Sequence, residues 1–328
     1  MEQPLVSVII PAYNAGKWIS SAIENIQQQT YRNWELIIVN DGSTDMTPEV
    51  CQKYAISDDR IHLYTQKNQG PSAARNNGLS HMEGDYFTII DSDDLLHKEA
   101  LEIYVAAAEK NNAEVVVAGY RMINSFTNET CEYTFKSEML FQVKKGNINI
   151  EPVEKVIQAG LMASNWNKLY KKELSDLRFD ENLSLNEDVL FSLTALSRAK
   201  SVVVIPDVLY DYRIQNGQSL SLKFHPELPE ALEALENQLV KNQSLPLRLG
   251  ISRWLSNYMY VYMKNICINS ELKGRTRQLL GNCVKSRFFR KYMTFSNADT
   301  MNRKIGSLLL RLKMPGMYIF LMQIKKRG

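Results

Sequence analysis

The sequence predicts an α/β fold, a mostly parallel sheet sandwiched by helices, followed by a smaller C-terminal helical region. Two patterns in the 328 residues carry that prediction. Over residues 1–120, apolar runs of strand length alternate with amphipathic stretches of helix length, and beyond about residue 225 helical periodicity continues without strands. The runs at 5–10, 34–39, 61–65, 86–90 and 115–118 are nearly continuous Val, Ile and Leu, as expected of strands buried on both faces. Helical stretches fill 17–28, 47–55, 71–81 and 98–111. Residues 121–164 are less regular, 166–200 read as helical material poor in strands, and 202–205 forms another short strand. A boundary is expected near 215–225, giving a catalytic domain over 1–220 and a helical, basic region over 221–328.

Composition narrows the function. Hydrophobic content of 45% with 15 glycines and 10 prolines describes a folded chain rather than a disordered one. Its four cysteines, Cys51, Cys131, Cys267 and Cys283, form no CxxC pair, which disfavours structural zinc and a disulfide framework. The N-terminus shows no basic leader segment, so a cytoplasmic location is expected. The net charge of +3 conceals an asymmetry: residues 271–328 carry 14 Lys or Arg against Glu271 and Asp299, a balance of +12, leaving −9 on the remainder. No aromatic-interleaved module accompanies the basic residues, so nucleic acid is not the expected partner.

In parallel α/β sheets ligands bind beyond the carboxyl ends of the strands, so the polar residues ending each run are the ones to inspect. Pro11-Ala-Tyr13-Asn14 follows the first run, Asn40-Asp41-Gly-Ser-Thr-Asp45 the second, and Asp91-Ser92-Asp93-Asp94 the fourth. Clustered carboxylates at a strand end are costly unless a hard divalent cation joins them, although a helix cap would also use an aspartate there. Asp41 could accept hydrogen bonds from a base or ribose, against the plainer reading of a turn residue. Arg75, one turn into a helix of small residues, offers a guanidinium to a base or phosphate. Glu187-Asp188 opens an apolar helix and could supply a general base or simply favour the helix dipole. Trp166 and Tyr170 could form a sugar platform or pack in the core.

Taken together, Val8-Ile-Ile-Pro11-Ala-Tyr13-Asn14, Val39-Asn-Asp41-Gly-Ser-Thr-Asp45, Asn68-Gln-Gly70-Pro-Ser-Ala-Ala-Arg75-Asn and Asp91-Ser92-Asp93-Asp94 resemble the GT-A-fold glycosyltransferases of family 2 in residues, order and spacing. The resemblance spans residues 5–120 and continues loosely through Trp166–Tyr170 and Asn186-Glu187-Asp188. It implies a GT-A sheet and an inverting transfer of a hexose or N-acetylhexosamine from a UDP-sugar, with Mn2+ or Mg2+, to a glycan or lipid-linked saccharide in cell-surface polysaccharide synthesis. It further implies that Pro11, Tyr13, Asn14, Asp41 and Arg75 hold the nucleotide, and that Asp91 and Ser92 face ribose or donor sugar. Asp93 would ligate the metal, Asp188 would act as base, Glu187 would contact acceptor or donor, and Trp166 would help to bind the nucleotide-sugar. Asn40 departs from the family's frequent Asp. A sugar nucleotidyltransferase is a rival, but it would carry a Gly-rich phosphate loop where Pro11-Ala-Tyr-Asn14 stands; a non-catalytic sugar-nucleotide-binding subunit is another, argued against by Asp93 together with Asp188.

Residues 301–328 contain seven Lys or Arg and no acid around the apolar groups 308–310 and 317–322, divided by Pro315-Gly316. Each group is too short to span a bilayer, and the pattern fits an anionic membrane surface. The alternative is a helix that packs in the core or against a second copy of the chain.

Overall fold

A computed structural model of the chain describes residues 3–144, 147, 148, 152, 155–157, 159–162, 164–183, 185–214, 225–241, 248–269, 272, 274–294 and 301–327. It forms two compact units, 1–223 and 224–328. Residues 215–224, within the expected boundary, lie outside the described residues.

In the first unit, β1 (Val6–Ala12), β2 (Trp34–Asp41), β3 (Ile61–Gln66) and β4 (Tyr86–Ile89) pair in parallel in the order β3-β2-β1-β4. Strand alternation divides β1 between two layers. Val6, Val8 and Ile10 share one core with Ile19, Ala22, Ile23 and Ile26 of helix α1 (Ile19–Gln27) and with Leu101, Tyr104 and Ala108 of a later helix. Ile9 points the other way, toward α3 (Pro71–His81), where a Cβ added to Gly78 would lie 2.4 Å from the Ile9 Cγ2. Only a residue without a side chain allows helix and sheet to approach so closely. The crossover from β2 to β3 is α2 (Thr47–Ser57), and α4 (Ala100–Asn111) follows β4 and leads on to β6.

Beyond β4 the sheet becomes mixed. The order continues through β10 (Lys168–Lys171), β6 (Val115–Asn124), β11 (Ser201–Ile214), β8 (Met139–Lys144) and β9 (Asn147–Ile148), while β5 (Leu95–Leu96) pairs with β11 and β7 (Thr130–Tyr133) with β6. The strand-poor expectation for 166–200 is therefore corrected: β10 lies in the middle of the sheet, antiparallel to both β4 and β6. Four residues with lysine at both ends give no periodic signal, and neighbours on either side supply the burial. β11 is also far longer than 202–205. Pro206 cannot donate to the ladder, and the register of β11 against β6 shifts between Val204 and Val208 before pairing resumes to Ile214. Helix α5 (Glu187–Arg198) precedes β11 and buries Val189, Leu190, Phe191, Leu193 and Leu196.

The second unit is helical among its described residues: α6 (Leu228–Lys241), α7 (Arg248–Ile268), α8 (Thr276–Lys285), α9 (Arg287–Tyr292), α10 (Met301–Arg311) and α11 (Pro315–Arg327). Its core holds Leu232, Leu235, Met259, Met263, Ile266, Leu280, Phe288 and Phe289. The C-terminal apolar groups split by helical face. Leu309, Leu310, Tyr318 and Met322 are buried, whereas Ile305, Leu308, Leu312, Met317 and Phe320 are exposed. Among the described residues, no helix is long and apolar enough to cross a membrane.

Candidate active site

The loops after β1 and β2 are stitched together by side chains. Asn14, at φ 48°, accepts from the Thr44 amide at 2.8 Å and donates its own amide to the Ser43 hydroxyl at 3.0 Å. Asp45 accepts from the Gly16 amide at 2.9 Å, and the Thr47 hydroxyl accepts from the Ala15 amide at 2.8 Å. These bonds leave Tyr13 standing out at the sheet edge, 52% exposed. Asp41 is the opposite case. It is buried, and its carboxylate accepts from the Gln66 side chain at 2.9 Å, the Gln69 amide at 2.9 Å and the Gly70 amide at 2.8 Å. Gly70 holds φ 93° and caps α3, so Asp41 shapes the loop that launches the helix carrying Arg75. Both of its oxygens accept hydrogen bonds from the protein.

After β4 the chain turns sharply, the Asp94 amide donating to the Asp91 carbonyl at 3.2 Å. Asp94 is buried and faces β11, accepting from the Tyr210 hydroxyl at 2.7 Å and the Arg213 amide at 2.8 Å. Burial, with Asp91 and Asp93 nearby, holds its carboxyl well above the usual carboxylate range. The Arg213 Nε donates to the Asp93 carbonyl at 2.9 Å, and its buried NH2 nitrogen has no partner among the described residues. Asp93 itself is pushed up to about 6, first by burial and then by Asp91, with its own backbone amide and Arg213 only partly offsetting them. Among the described residues, no group of three or more His, Cys, Asp or Glu side chains could hold a metal unaided. Asp93 nonetheless fits such an ion: it is a hard oxygen donor whose charged form is unfavourable as it stands and would be relieved by a cation completed with substrate phosphates.

Arg75 joins the motifs that the sequence spreads apart. Its guanidinium is buried and donates to Glu187 at 2.9 Å and to Asp91 at 3.3 Å, above the Phe179 ring at 5.3 Å. Burial would weaken its charge, but Asp91, Glu187 and Asp188 outweigh that and hold it firmly protonated. Its Nε finds no partner among the described residues. Asp188 lies in the first turn of α5, partly buried, with its carboxylate accepting from the Val189 amide at 2.8 Å. Burial first and Glu187 second push its carboxyl up to about 7, against the opposing influence of Arg75 and the Val189 amide. A carboxylate poised near neutrality and partly open to solvent has the proton affinity a general base needs.

Of the residues expected from sequence, Arg75, Asp91, Glu187 and Asp188 therefore form one electrostatic cluster, with Ser92 and Asp93 in the turn beside it. Pro11, Tyr13 and Asn14 stand at the neighbouring strand end. Trp166 is 9% exposed and stacks with Tyr210 and Tyr212 at ring separations of 4.3 and 5.5 Å, with Tyr120 edge-on at 4.8 Å, so its surroundings are those of a core residue. Sequence reasoning missed Arg213 and Lys168. Arg213 is a cation at the end of an apolar strand, the same signal that marked the aspartates, but Pro206 hid the strand's continuation.

The sequence model for glycosyl transferase family 2 matches residues 7–172. The glycosyltransferase GlyG of Streptococcus pneumoniae is 30% identical over 67% of this chain and 74% of its own length. An uncharacterized glycosyltransferase of Rickettsia typhi is 30% identical over 81% of this chain and 82% of its own length. Streptococcus pneumoniae GlyA is 32% identical over 74% of this chain, which spans 35% of that larger protein. Among solved structures, S. aureus TarS 1–349 in complex with UDP-GlcNAc superposes with a TM-score of 0.69 at 22% identity, covering 98% of this chain and 92% of that one. A Pyrobaculum calidifontis mannosyltransferase in complex with GDP-Man and Mn2+ gives 0.56 at 16% identity, covering 99% and 87%. Both structures share the GT-A fold expected from the sequence.

Proposed function

The chain belongs to glycosyl transferase family 2 and is a glycosyltransferase, and from that premise we propose that it moves a hexose or N-acetylhexosamine from a UDP-sugar, with inversion, onto a saccharide acceptor of a surface polysaccharide. One observation carries the reading: the Arg75 guanidinium binds Asp91 of the donor-facing turn and Glu187 beside Asp188 at once, which sets the proposed base next to the proposed donor site. The UDP-GlcNAc held by TarS supports a UDP donor, and the Mn2+ held with GDP-Man by the archaeal enzyme supports a divalent cation.

In this reading Tyr13 offers its exposed ring to the base, flanked by Pro11 and Asn14, while Asp41 acts through the Gln69-Gly70 loop. Asp91 and Ser92 face ribose or sugar, and Asp93 would hold Mn2+ or Mg2+. When bound, such an ion offsets negative charge on the departing diphosphate. Arg213, whose buried NH2 nitrogen has no partner among the described residues, is a further cation for that diphosphate. Asp188 takes the proton from the acceptor hydroxyl as its oxygen attacks the anomeric carbon, and the bond to UDP breaks on the opposite face. Glu187 orients Arg75 and the incoming group. No covalent nucleophile is needed.

The test is UDP release from a panel of UDP-sugars, with Mn2+ or with chelator, for wild type and Asp93→Ala. Release from one sugar that needs metal and falls by about 10²-fold or more in the variant is expected, since the variant loses the metal's Lewis-acid contribution. Metal-dependent release that survives Asp93→Ala removes Asp93 from the role.

A lipid-linked acceptor would place the enzyme on the cytoplasmic face of a membrane, and one feature of the second unit favours this. The exposed residues Ile305 and Leu308 lie on one face of α10, with exposed Leu312 just past its end, in a region of strongly positive charge. Deleting the segment would remove the buried Leu309, Leu310, Tyr318 and Met322 as well, so the informative variant is Ile305→Glu with Leu308→Glu. Wild type should co-sediment with phosphatidylglycerol vesicles and not with phosphatidylcholine, and the variant should lose about tenfold or more in binding. A salt-independent dimer without vesicle binding would instead assign the face to a second copy.

A further inference from the structure

Lys168 is a fully buried lysine in the middle of the sheet, and the transfer chemistry above makes no use of it. Among the described residues, its ammonium has no carboxylate within hydrogen-bonding distance. It donates instead to three neutral oxygens: the Leu161 carbonyl at 2.9 Å, the Asn167 side-chain oxygen at 2.7 Å, and the Ser164 carbonyl. Asn167 reinforces this by donating to the Ala118 carbonyl at 2.9 Å and the Leu161 carbonyl at 3.2 Å. A buried charge on neutral acceptors is costly, and methionine would fill much the same volume without the cost.

What the charge faces explains why it is there. The Ser164 carbonyl that accepts from Lys168 also accepts from the Ser192 hydroxyl at 2.9 Å. Ser192 is four residues beyond Asp188 on α5, on the same helical face. Lys168 and the helix carrying Asp188 thus grip one peptide group from two sides. We propose that Lys168 is a positioning cation for the transfer reaction, fixing the helix that presents Asp188 and favouring that carboxylate in its ionised form. The inference rests on the reading of Asp188 as the base.

Several charged or titratable groups face Asp188: Glu187 on its own helix, Arg75 on α3, Asp91 after β4, and Lys168 with Tyr170 on β10. Lys168 and Arg75 are the cations among them. Burial lowers the Lys168 ammonium to about 7, and Asp188 works in the opposite direction. An ionised Asp188 therefore sustains the charge on Lys168.

The experiment compares Lys168→Met, Lys168→Arg and Ser192→Ala with wild type, using the UDP-sugar on which wild type releases UDP, across pH 5 to 9. Removing the cation should move the acid limb of the kcat/KM profile upward by about half a unit to one unit. It should lower kcat at pH 7 by about tenfold with donor KM within about twofold, because the fault is in placing the base rather than in binding. Lys168→Arg should keep the acid limb in place. Ser192→Ala, which disturbs little else, should lower kcat by about threefold or more with the limb unmoved. An unmoved limb in folded Lys168→Met overturns the proposal, as does an unchanged kcat in Ser192→Ala if the methionine variant does not fold. If Asp188→Asn keeps its turnover, the base assignment fails instead.

Discussion

Asp188→Asn is expected to abolish most transfer while leaving the protein folded, its nucleotide site intact and its thermal stability at alkaline pH raised. The amide keeps the size of the carboxyl and cannot accept the acceptor's proton, so kcat should fall by about 10² to 10⁴, with the dissociation constant for UDP changed by less than about threefold. The stability part follows from the sign of the shift. Burial and Glu187 raise the native Asp188 carboxyl to about 7, above the ordinary unfolded value of about 3.9. Between those two values the native state binds more protons than the unfolded state, so this group's contribution to stability falls as pH rises from about 4 to about 7. An asparagine has no such dependence. The melting temperature of the variant should exceed that of wild type at pH 8, and the difference should shrink toward pH 4. In wild type the kcat/KM profile should fall below about pH 7 as the base protonates. Loss of UDP binding in step with turnover would contradict the assignment, because it would make Asp188 a ligand of the nucleotide.

The balance between chemistry and stability at this site also shows what the sequence could and could not disclose. The central parallel strands β1, β2 and β4 were legible because burial on both faces writes them as largely apolar runs, whereas β3 at the sheet edge buries only Ile61, and the polar residues at the strand ends therefore stood out. Arg75, Asp91, Glu187 and Asp188 were each named from local pattern alone, yet nothing local shows that one guanidinium spans two of them, since Glu187 lies 112 residues from Arg75. Asp41 shows the converse. Its place at a strand tip is legible, but its three hydrogen bonds to residues 66–70 depend on the path of a loop. β10 was illegible because its stability is tertiary: Lys168 is buried by its neighbours, so a residue that signals a surface by composition sits in the core. Trp166 carried a true signal of aromatic clustering, and the structure shows the partners to be tyrosines of β6 and β11.

Arg75→Met should be the most destabilising single change in the site, and its damage should depend on pH. The side chain is buried and paired with Glu187 and Asp91, while Asp188 also feels its charge. Exposed ion pairs contribute little, but removing one member of a buried set leaves the others desolvated without compensation, at a cost of about 3 to 5 kcal/mol. For a unit of this size each kcal/mol corresponds to about 2 to 4 °C, so a fall of roughly 6 to 20 °C is expected at pH 8. The remaining carboxylates can escape the penalty by binding protons. Arg75 is among the influences that lower the Asp188 carboxyl, so without it that group rises further and the native state gains protons over a wider range. Stability of the variant should therefore recover as pH falls from 8 toward 5.5, where wild type changes less. Arg75→Lys separates charge from shape. A single ammonium cannot reproduce the two-armed contact to Glu187 and Asp91, so it should restore much of the melting temperature while leaving turnover low. Were both variants to melt with wild type at pH 8, the carboxylates would have to be neutral or solvated already, and the cluster could not be the electrostatic hinge between donor site and base.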